Sequence, residues 1–416
     1  MNTLESSSKI KQLIASRREG WTLPGAFYQE DDIYRTEMNS IWRRQWLFAG
    51  HTDQVGQPGD FFVVTVDTDS ILIIHGLDGT IRAMHNICRH RGTLICQAES
   101  GHAKKLVCPY HQWSYSTDGT LEHWRGMQED LDKSELGLVK LPLRTIEGMI
   151  YICLSASPPD FDPAYNSMLP MALPQGLAQA KVAKQVDYIV EANWKLVWEN
   201  NRECYHCNAH HPQYMRANYD HYNEDDTTDL IRRKIDFAIE RDEKRWKDAG
   251  LAINHKRTGM VCFPDPDNDI WYASNRTPLA EGYVSETMDG KQVSTLMGDY
   301  PNADVGTIRM RTMPNMWMHG SCDHAVLTRL LPVGFNKTRV SVLWLVDQNA
   351  VEGEDYQLDQ IMPFWQLTSE QDWEICRLAQ QGVSSGGYRP GPYSTYKEYN
   401  VDAFVRWYLK SLSIDL

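Results

Sequence analysis

Two stretches of the sequence hold residues whose types and spacing could do chemistry. Residues 88–92 read CRHRG and residues 108–113 read CPYHQW, which gives Cys88-x-His90, seventeen intervening residues, then Cys108-x-x-His111. Zinc sites built from two cysteines and two histidines usually group like with like along the chain. Here each half supplies one of each. That division suits a two-iron cluster in which one iron takes both thiolates and the other both imidazoles. Neutral imidazole in place of thiolate removes negative charge and lifts the reduction potential into a range of about −150 to +300 mV. Backbone N–H groups, with Ser114 or Tyr115, could donate to the sulfurs and tune it further.

The second stretch, residues 199–212, reads ENNRECYHCNAHHP. Electrons held by a cluster need a destination. A mononuclear iron held by two histidines and one carboxylate leaves positions open for oxygen and substrate. His206 can supply one imidazole and either His210 or His211 the other. Helical spacing alone favours His210, because residues four apart share a face. Glu203, three residues before His206, lies on that face as well. Cys204 and Cys207 could both reach one metal. Thiolates, however, steer a site toward zinc or clusters rather than oxygen activation, so these two read as packed, buried cysteines.

The pattern CRHRG…CPYHQWSY resembles the signature of the Rieske non-haem iron oxygenases, in their alpha (oxygenase) subunit. The likeness continues through NWKLVWENNRECYHCNAHHP (193–212), MDGKQ (288–292), NAVEG (349–353), EQDW (370–373) and YRPGPYS (388–394). It is greatest with the members that oxidise quaternary ammonium compounds such as glycine betaine, carnitine and stachydrine. The resemblance implies a [2Fe–2S] cluster on Cys88, His90, Cys108 and His111. It implies a mononuclear Fe(II) on two histidines spaced by five with proline after the second, which points to His206 and His211. A helix distorted near Pro212 accommodates that spacing. The third ligand implied is Asp372, which by itself reads as a solvated helix charge; Asp359, Glu370 and Glu374 are the other candidates nearby. Glu203 stands where the family has a carboxylate that hydrogen-bonds an iron-ligand histidine and a cluster histidine of the neighbouring subunit. Many ring-hydroxylating members carry Asp there, and the quaternary ammonium members Glu.

The activity implied is O2-dependent hydroxylation of a small methylated ammonium substrate, with N-demethylation and release of formaldehyde. The alternative on the same scaffold is an aromatic-ring-hydroxylating dioxygenase alpha subunit; an electron carrier with only the cluster at work is a more distant one. No GxGxxG fingerprint is evident, so two electrons must come from a separate NAD(P)H-dependent flavin/iron–sulfur reductase. The resemblance also implies a homotrimer arranged head to tail. Aromatic faces hold methylated ammonium groups, and Trp271, Tyr272, Trp317, Phe364 and Trp365 are candidates for such a box.

The elements that must position these residues divide the chain. Residues 1–44 read as a helical N-terminal arm broken at Pro24 and Gly25. Short apolar runs at 61–66, 71–76, 81–86, 105–110 and 149–155, with turns between them, make an all-β stretch within a Rieske domain at 45–160. SPPDFDP (157–163) reads as a linker. The catalytic domain, 161–416, mixes helix and strand. It includes one helix over VEANWKLVWENNRECYHCNAHHP ended by Pro212, a strand at 340–346, a helix over 355–382, and a last helix at 401–412. The fold class expected is α+β: an antiparallel β Rieske domain, then, as the resemblance implies, a helix-grip catalytic domain whose antiparallel sheet wraps a long helix. A net charge of −13 over 416 residues argues against nucleic acid or an anionic membrane as partner. No run approaches the ~20 apolar residues of a membrane helix, and the first twenty residues lack an apolar signal core. The expected location is the cytoplasm, where nine scattered cysteines serve as core residues or metal ligands rather than disulfides.

Overall fold

The N-terminal arm is helical in pieces, with its first helix ending at Ser16, before the break expected at Pro24 and Gly25. In the computed structural model, which describes residues 3–128, 130–219, 228–254 and 263–415, helix α1 (Thr3–Ser16) and helix α2 (Asp31–Glu37) flank a 3-10 turn at Gly25–Tyr28. Two compact units follow from the packing: residues 42–159, and residues 1–41 together with 160–416.

In the first unit the apolar runs pair as antiparallel strands. They are β1 (Leu47–His51), β2 (Asp60–Val66), β3 (Asp69–His75), β4 (Ile81–His85), β5 (Ser100–His102), β6 (Leu106–Val107), β7 (Ser114–Tyr115), β8 (Leu121–His123), β9 (Lys140–Leu141), β10 (Leu143–Ile146) and β11 (Met149–Ile152). Their sheet orders are β5-β2-β3-β4-β9, β6-β7-β8 and β1-β11-β10. The β2–β3 hairpin closes through a two-residue loop in which Asp67 takes φ +53°, a conformation aspartate tolerates. Leu72, Ile74, Met84, Leu106, Trp113 and Leu121 pack into one core with Cys88 and Cys108. The run at 105–110 yields only the two residues of β6, because Cys108 turns the chain into a loop.

In the second unit, β12 (Ala180–Val190), β13 (Tyr272–Thr277), β14 (Thr307–Thr312), β15 (Met316–Gly320), β16 (Ala325–Gly334) and β17 (Lys337–Asp347) form an antiparallel sheet in the order β12-β17-β16-β15-β14-β13. Its helices are α3 (Asp162–Ala172), α4 (Trp194–Asn201), α5 (Cys207–His210), α6 (Pro212–Ala217), α7 (Asp229–Asp248), α8 (Leu358–Ile361), α9 (Pro363–Val383) and α10 (Tyr399–Leu412). The long helix α9 packs on α4 and β12, and its Trp365 and Trp373 rings meet His319 and Trp317 of β15. This is the helix held by a sheet that the fold class anticipates. No described helix is long and apolar enough to cross a membrane.

The single helix expected over 190–212 is corrected to three pieces. Residues up to Val190 belong to β12, and α4 starts at Trp194 because Asn193 Oδ1 accepts from Lys195 N at 3.0 Å, an N-cap. Helix α4 stops at Asn201, and the Glu203 carboxylate takes the backbone N–H groups of Tyr205 and His206, competing with helical bonding. Pro212 opens α6 instead of ending a helix, since the first helical position needs no N–H. Pro363 likewise divides the expected helix over 355–382 into α8 and α9. A buried ion pair fixes the arm: Lys195 Nζ lies 2.6 Å from Glu37 Oε1, and Glu37 also accepts from Trp194 Nε1 and the Tyr408 hydroxyl.

Candidate metal centres and active-site cleft

The two Cys/His stretches fold into loops of one plan. Cys88 N donates to Thr93 O at 2.9 Å and Gly92 N to Cys88 O at 3.0 Å; Cys108 N donates to Trp113 O at 2.8 Å and Gln112 N to Cys108 O at 3.0 Å. Both loops need a left-handed residue at the same point, Gly92 at φ +76° and Gln112 at φ +60°. The matched loops bring the His90 and His111 rings to 4.6 Å and bury both cysteines. The His90 ring stacks on Trp113, yet its Nδ1 is buried without a hydrogen-bond partner. A buried nitrogen so placed is costly unless something takes its lone pair. Two sulfurs and two ring nitrogens, one orphaned, fit a two-iron cluster. The Tyr115 hydroxyl lies 3.3 Å from Cys88 Sγ and accepts from Arg89 N at 3.1 Å. Ser114, the other candidate donor, pairs in β7 with Val107 and His123.

In the other unit, His206 precedes α5, His211 joins α5 to α6, and Asp372 sits midway along α9. His206 Nε2 and His211 Nε2 are 3.1 Å apart, and Asp372 Oδ1 lies 3.2 and 2.9 Å from them. Three donors each about 2.1 Å from one ion at right angles would be about 3.0 Å apart, the face of an octahedron. Both rings are set for this. His206 Nδ1 lies 2.5 Å from Glu203 Oε1, and His211 Nδ1 lies 2.8 Å from Gln371 Oε1. With each Nδ1–H donated to those oxygens, both Nε2 lone pairs converge on Asp372. Burial alone would lower the pKa of His206, but Asp372 and Glu203 override it and push it up to about 10, so that a proton on Nε2 takes the place an ion would fill. Asp372 is held below the ordinary carboxylate range by the same two histidines, against its burial. The site is built to hold positive charge.

His210 is outside this set: it is exposed, with Nδ1 3.1 Å from the backbone oxygen of His206. Glu374 pairs with Arg377, Glu370 accepts from Gln366, and Asp359 is exposed on α8. Cys207 Sγ lies within 4.8 Å of the histidine donors. The reading of Cys204 and Cys207 as packed free cysteines is corrected, because they form a disulfide. A tight turn leaves their Cα atoms 5.0 Å apart, within disulfide reach. A sulfur so bonded is no thiolate ligand.

The three donors face a cleft with about 1050 Å³ of empty space, its open mouth included. Of the five candidate box aromatics, only Trp365 lines it. Trp271 packs on Phe161 and Tyr272, Trp317 on Trp198 and Trp373, and Phe364 is fully buried behind Trp365. Tyr214, Phe263 and Tyr399 are the other aromatic lining residues. Asn200, whose Nδ2 lies 3.4 Å from His206 Nε2, and Gln371 were not legible from spacing, since nothing in the sequence distinguishes them from surface amides.

Residues 177–414 match the family described as ring hydroxylating alpha subunit, catalytic domain, and residues 45–144 match the Rieske [2Fe-2S] domain. The chain is a Rieske oxygenase alpha subunit. This oxygenase is 37% identical to the glycine betaine monooxygenase oxygenase subunit of Chromohalobacter salexigens, over 95% of this chain and 87% of that one. It is 36% identical to the same-named subunit of Pseudomonas aeruginosa, over 95% and 90%. In fold it is similar to the solved structure of a quaternary ammonium Rieske monooxygenase, with TM-score 0.70 and 19% identity, covering 96% of this chain and 98% of that one. The oxygenase accordingly carries a Rieske cluster and a mononuclear iron site. Its relatives are oxygenase subunits, and the electron source lies outside the chain.

Proposed function

We propose that the oxygenase hydroxylates an N-methyl group of a small methylated ammonium compound. One atom of O2 enters the C–H bond and the other leaves as water, with two electrons and two protons consumed. The N-hydroxymethyl product then loses formaldehyde to give the demethylated amine. The observation that carries this reading is identity above one third, along nearly the whole chain, to subunits named for glycine betaine oxidation. The Tyr214 and Trp365 rings in the cleft, 5.9 Å apart, support it, because a methylated ammonium offers no hydrogen to donate and is held by aromatic faces. An aromatic-hydrocarbon pocket would be apolar; Ser274, Asn275, Arg309 and Arg311 line this one.

In this reading Cys88, Cys108, His90 and His111 hold the cluster, and His206, His211 and Asp372 hold the iron. When bound, the cluster supplies single electrons and the iron supplies dioxygen activation. Glu203 keeps the proton of His206 on Nδ1 and so keeps Nε2 free. Gln371, itself donated to by Gln213 at 3.0 Å, does the same for His211. A further part of the proposal is a cytoplasmic homotrimer. In it Glu203 also accepts a hydrogen bond from a cluster histidine of the neighbouring subunit. An NAD(P)H-dependent flavin/iron–sulfur reductase feeds it. The testing assay supplies reductase, NADH and O2 with methylated ammonium compounds beside neutral aromatics. Formaldehyde release from the former is expected; oxidation of neutral aromatics alone overturns the reading.

A further inference from the structure

We propose that the Cys204–Cys207 pair is a thiol–disulfide switch on the mononuclear iron site: the disulfide masks Cys207, and the dithiol delivers its sulfur to the iron as a fourth protein ligand. This goes beyond the function proposed above and rests on the iron being held by His206, His211 and Asp372. Both cysteines line the same cleft as those three donors. His206 stands between them in the sequence, and Cys207 opens α5. Cys207 Sγ lies within 4.8 Å of a ring nitrogen of His206 and of His211. A sulfur and a nitrogen bound to one ion, at about 2.3 and 2.1 Å, are about 3.1 Å apart at right angles and about 4.4 Å apart when opposite. A change of staggered rotamer at Cys207 moves Sγ by about 3 Å, which spans the difference.

The turn that carries the pair is held by bonds other than the disulfide. The Glu203 carboxylate accepts from the N–H groups of Tyr205 and His206, and Cys207 N donates to Cys204 O at 3.4 Å. The rings of His206 and His211 are oriented by Glu203 and Gln371, not by the sulfurs. Opening the S–S bond therefore releases two thiols and leaves the metal donors in place.

The pair is also placed to react. In a reducing compartment such as the cytoplasm proposed above, a disulfide that forms is usually one that opens and closes. Cys204 is half-buried and Cys207 buried, so an external thiolate meets Cys204 first. A dithiol attacks Cys204 Sγ, forms a mixed disulfide there and expels Cys207. The second thiol of the reagent then attacks its own sulfur in the mixed disulfide, expels Cys204 and leaves as a cyclic disulfide. Two electrons and two protons pass from the reagent to the pair. On the iron, Cys207 binds as thiolate and its proton goes to solvent. That ligand fills a position that oxygen or substrate would use and steers the metal away from oxygen activation. The reverse exchange with a disulfide restores the open position.

Tryptic peptide 203–216 contains both cysteines and no other. From protein isolated in air and unfolded in iodoacetamide, it should carry two labels only after dithiothreitol; full labelling without dithiothreitol overturns the disulfide. Cobalt(II) loaded at the mononuclear site of the full chain, with the cluster intact, reports ligation without turnover. Loaded under argon after dithiothreitol treatment and gel filtration, the parent should show thiolate-to-cobalt charge-transfer absorption in the near ultraviolet that Cys207→Ser lacks. Cys204→Ser, whose Cys207 has lost its disulfide partner, should show it without dithiothreitol. Turnover of a methylated ammonium compound by the iron-loaded parent should fall at least about tenfold after dithiothreitol and return on reoxidation with cystamine. The two states of the parent carry the test if a variant fails to fold. Cobalt retained in the dithiol form with no thiolate absorption, or turnover indifferent to dithiothreitol, overturns the switch and leaves the iron site intact. Cobalt retained in neither state removes the iron site as well.

Discussion

Glu203 and His206 are joined by a 2.5 Å contact between carboxylate Oε1 and ring Nδ1, on the side of the ring opposite the nitrogen that faces Asp372. One carboxylate therefore sets the tautomer of a metal-facing histidine from behind. Glu203→Gln keeps the size and loses the charge. Both metals should remain, while turnover falls about 10–100-fold or more. Iron content and the visible spectrum check the first half, and steady-state oxidation the second. Normal turnover would contradict the role assigned to Glu203.

Asp372→Asn removes the charged vertex of the three-donor set. The variant should lose the mononuclear iron and keep the cluster, so iron falls from about three per chain to about two, and oxidation should stop. Full iron occupancy in this variant would move the ligand elsewhere.

The Tyr115 hydroxyl lies 3.3 Å from Cys88 Sγ, and toward a cluster-bound thiolate it can only donate. Such a bond stabilises the more negative, reduced cluster. Tyr115→Phe should therefore leave the cluster assembled and lower its potential by on the order of 20–60 mV, the equivalent of one net hydrogen bond. Redox titration reads the shift. By contrast, Cys108→Ser should bleach the iron–sulfur absorption altogether.

Glu199 accepts from the Tyr28 hydroxyl at 2.7 Å, and burial pushes its pKa from an ordinary 4.5 to about 7. The folded protein then holds a proton that the unfolded chain releases between those values. Its contribution to stability is complete below about pH 4.5 and is lost as pH rises through 7. Glu199 is half-buried as a residue, so the loss is about 2 kcal/mol. Glu199→Gln should melt higher than the parent at pH 8.5, and the gap should narrow by pH 6. A gap that does not change with pH would refute the titration.

Lys195→Met leaves Glu37 buried beside Trp194 and Tyr408 without its cation. Removing one partner of a buried pair should cost about 3–5 kcal/mol. Denaturant unfolding measures it, and earlier proteolysis within residues 1–41 should accompany it.

The residues proposed to hold the cluster were legible because chemistry constrains such a set locally: two short loops must each present a sulfur and an imidazole, and the spacing records that. His206 was legible for the same reason. His210 against His211 was not decidable from periodicity. The helix that would favour His210 breaks at Glu203, whose carboxylate captures backbone N–H groups, and family likeness rather than helical geometry pointed to His211. Asp372 looks like any charge on an amphipathic helix. Only the packing of α9 across the sheet brings it within 3.2 Å of residues some 160 positions earlier. The aromatic candidates show the same limit. Composition supplied Trp271, Trp317 and Phe364, but packing on Phe161, Trp198 and Trp365 puts them in the core and leaves Trp365, with Tyr214, Phe263 and Tyr399, in the wall. The pairing of β13, β14 and β15, which lines up Asn275, Arg309 and His319 across one face, joins segments whose alternation is too irregular to read singly. Local sequence thus determined which atoms can bind metal. Tertiary structure decided which of them meet and what charge surrounds them, because both depend on contacts between residues far apart in the chain.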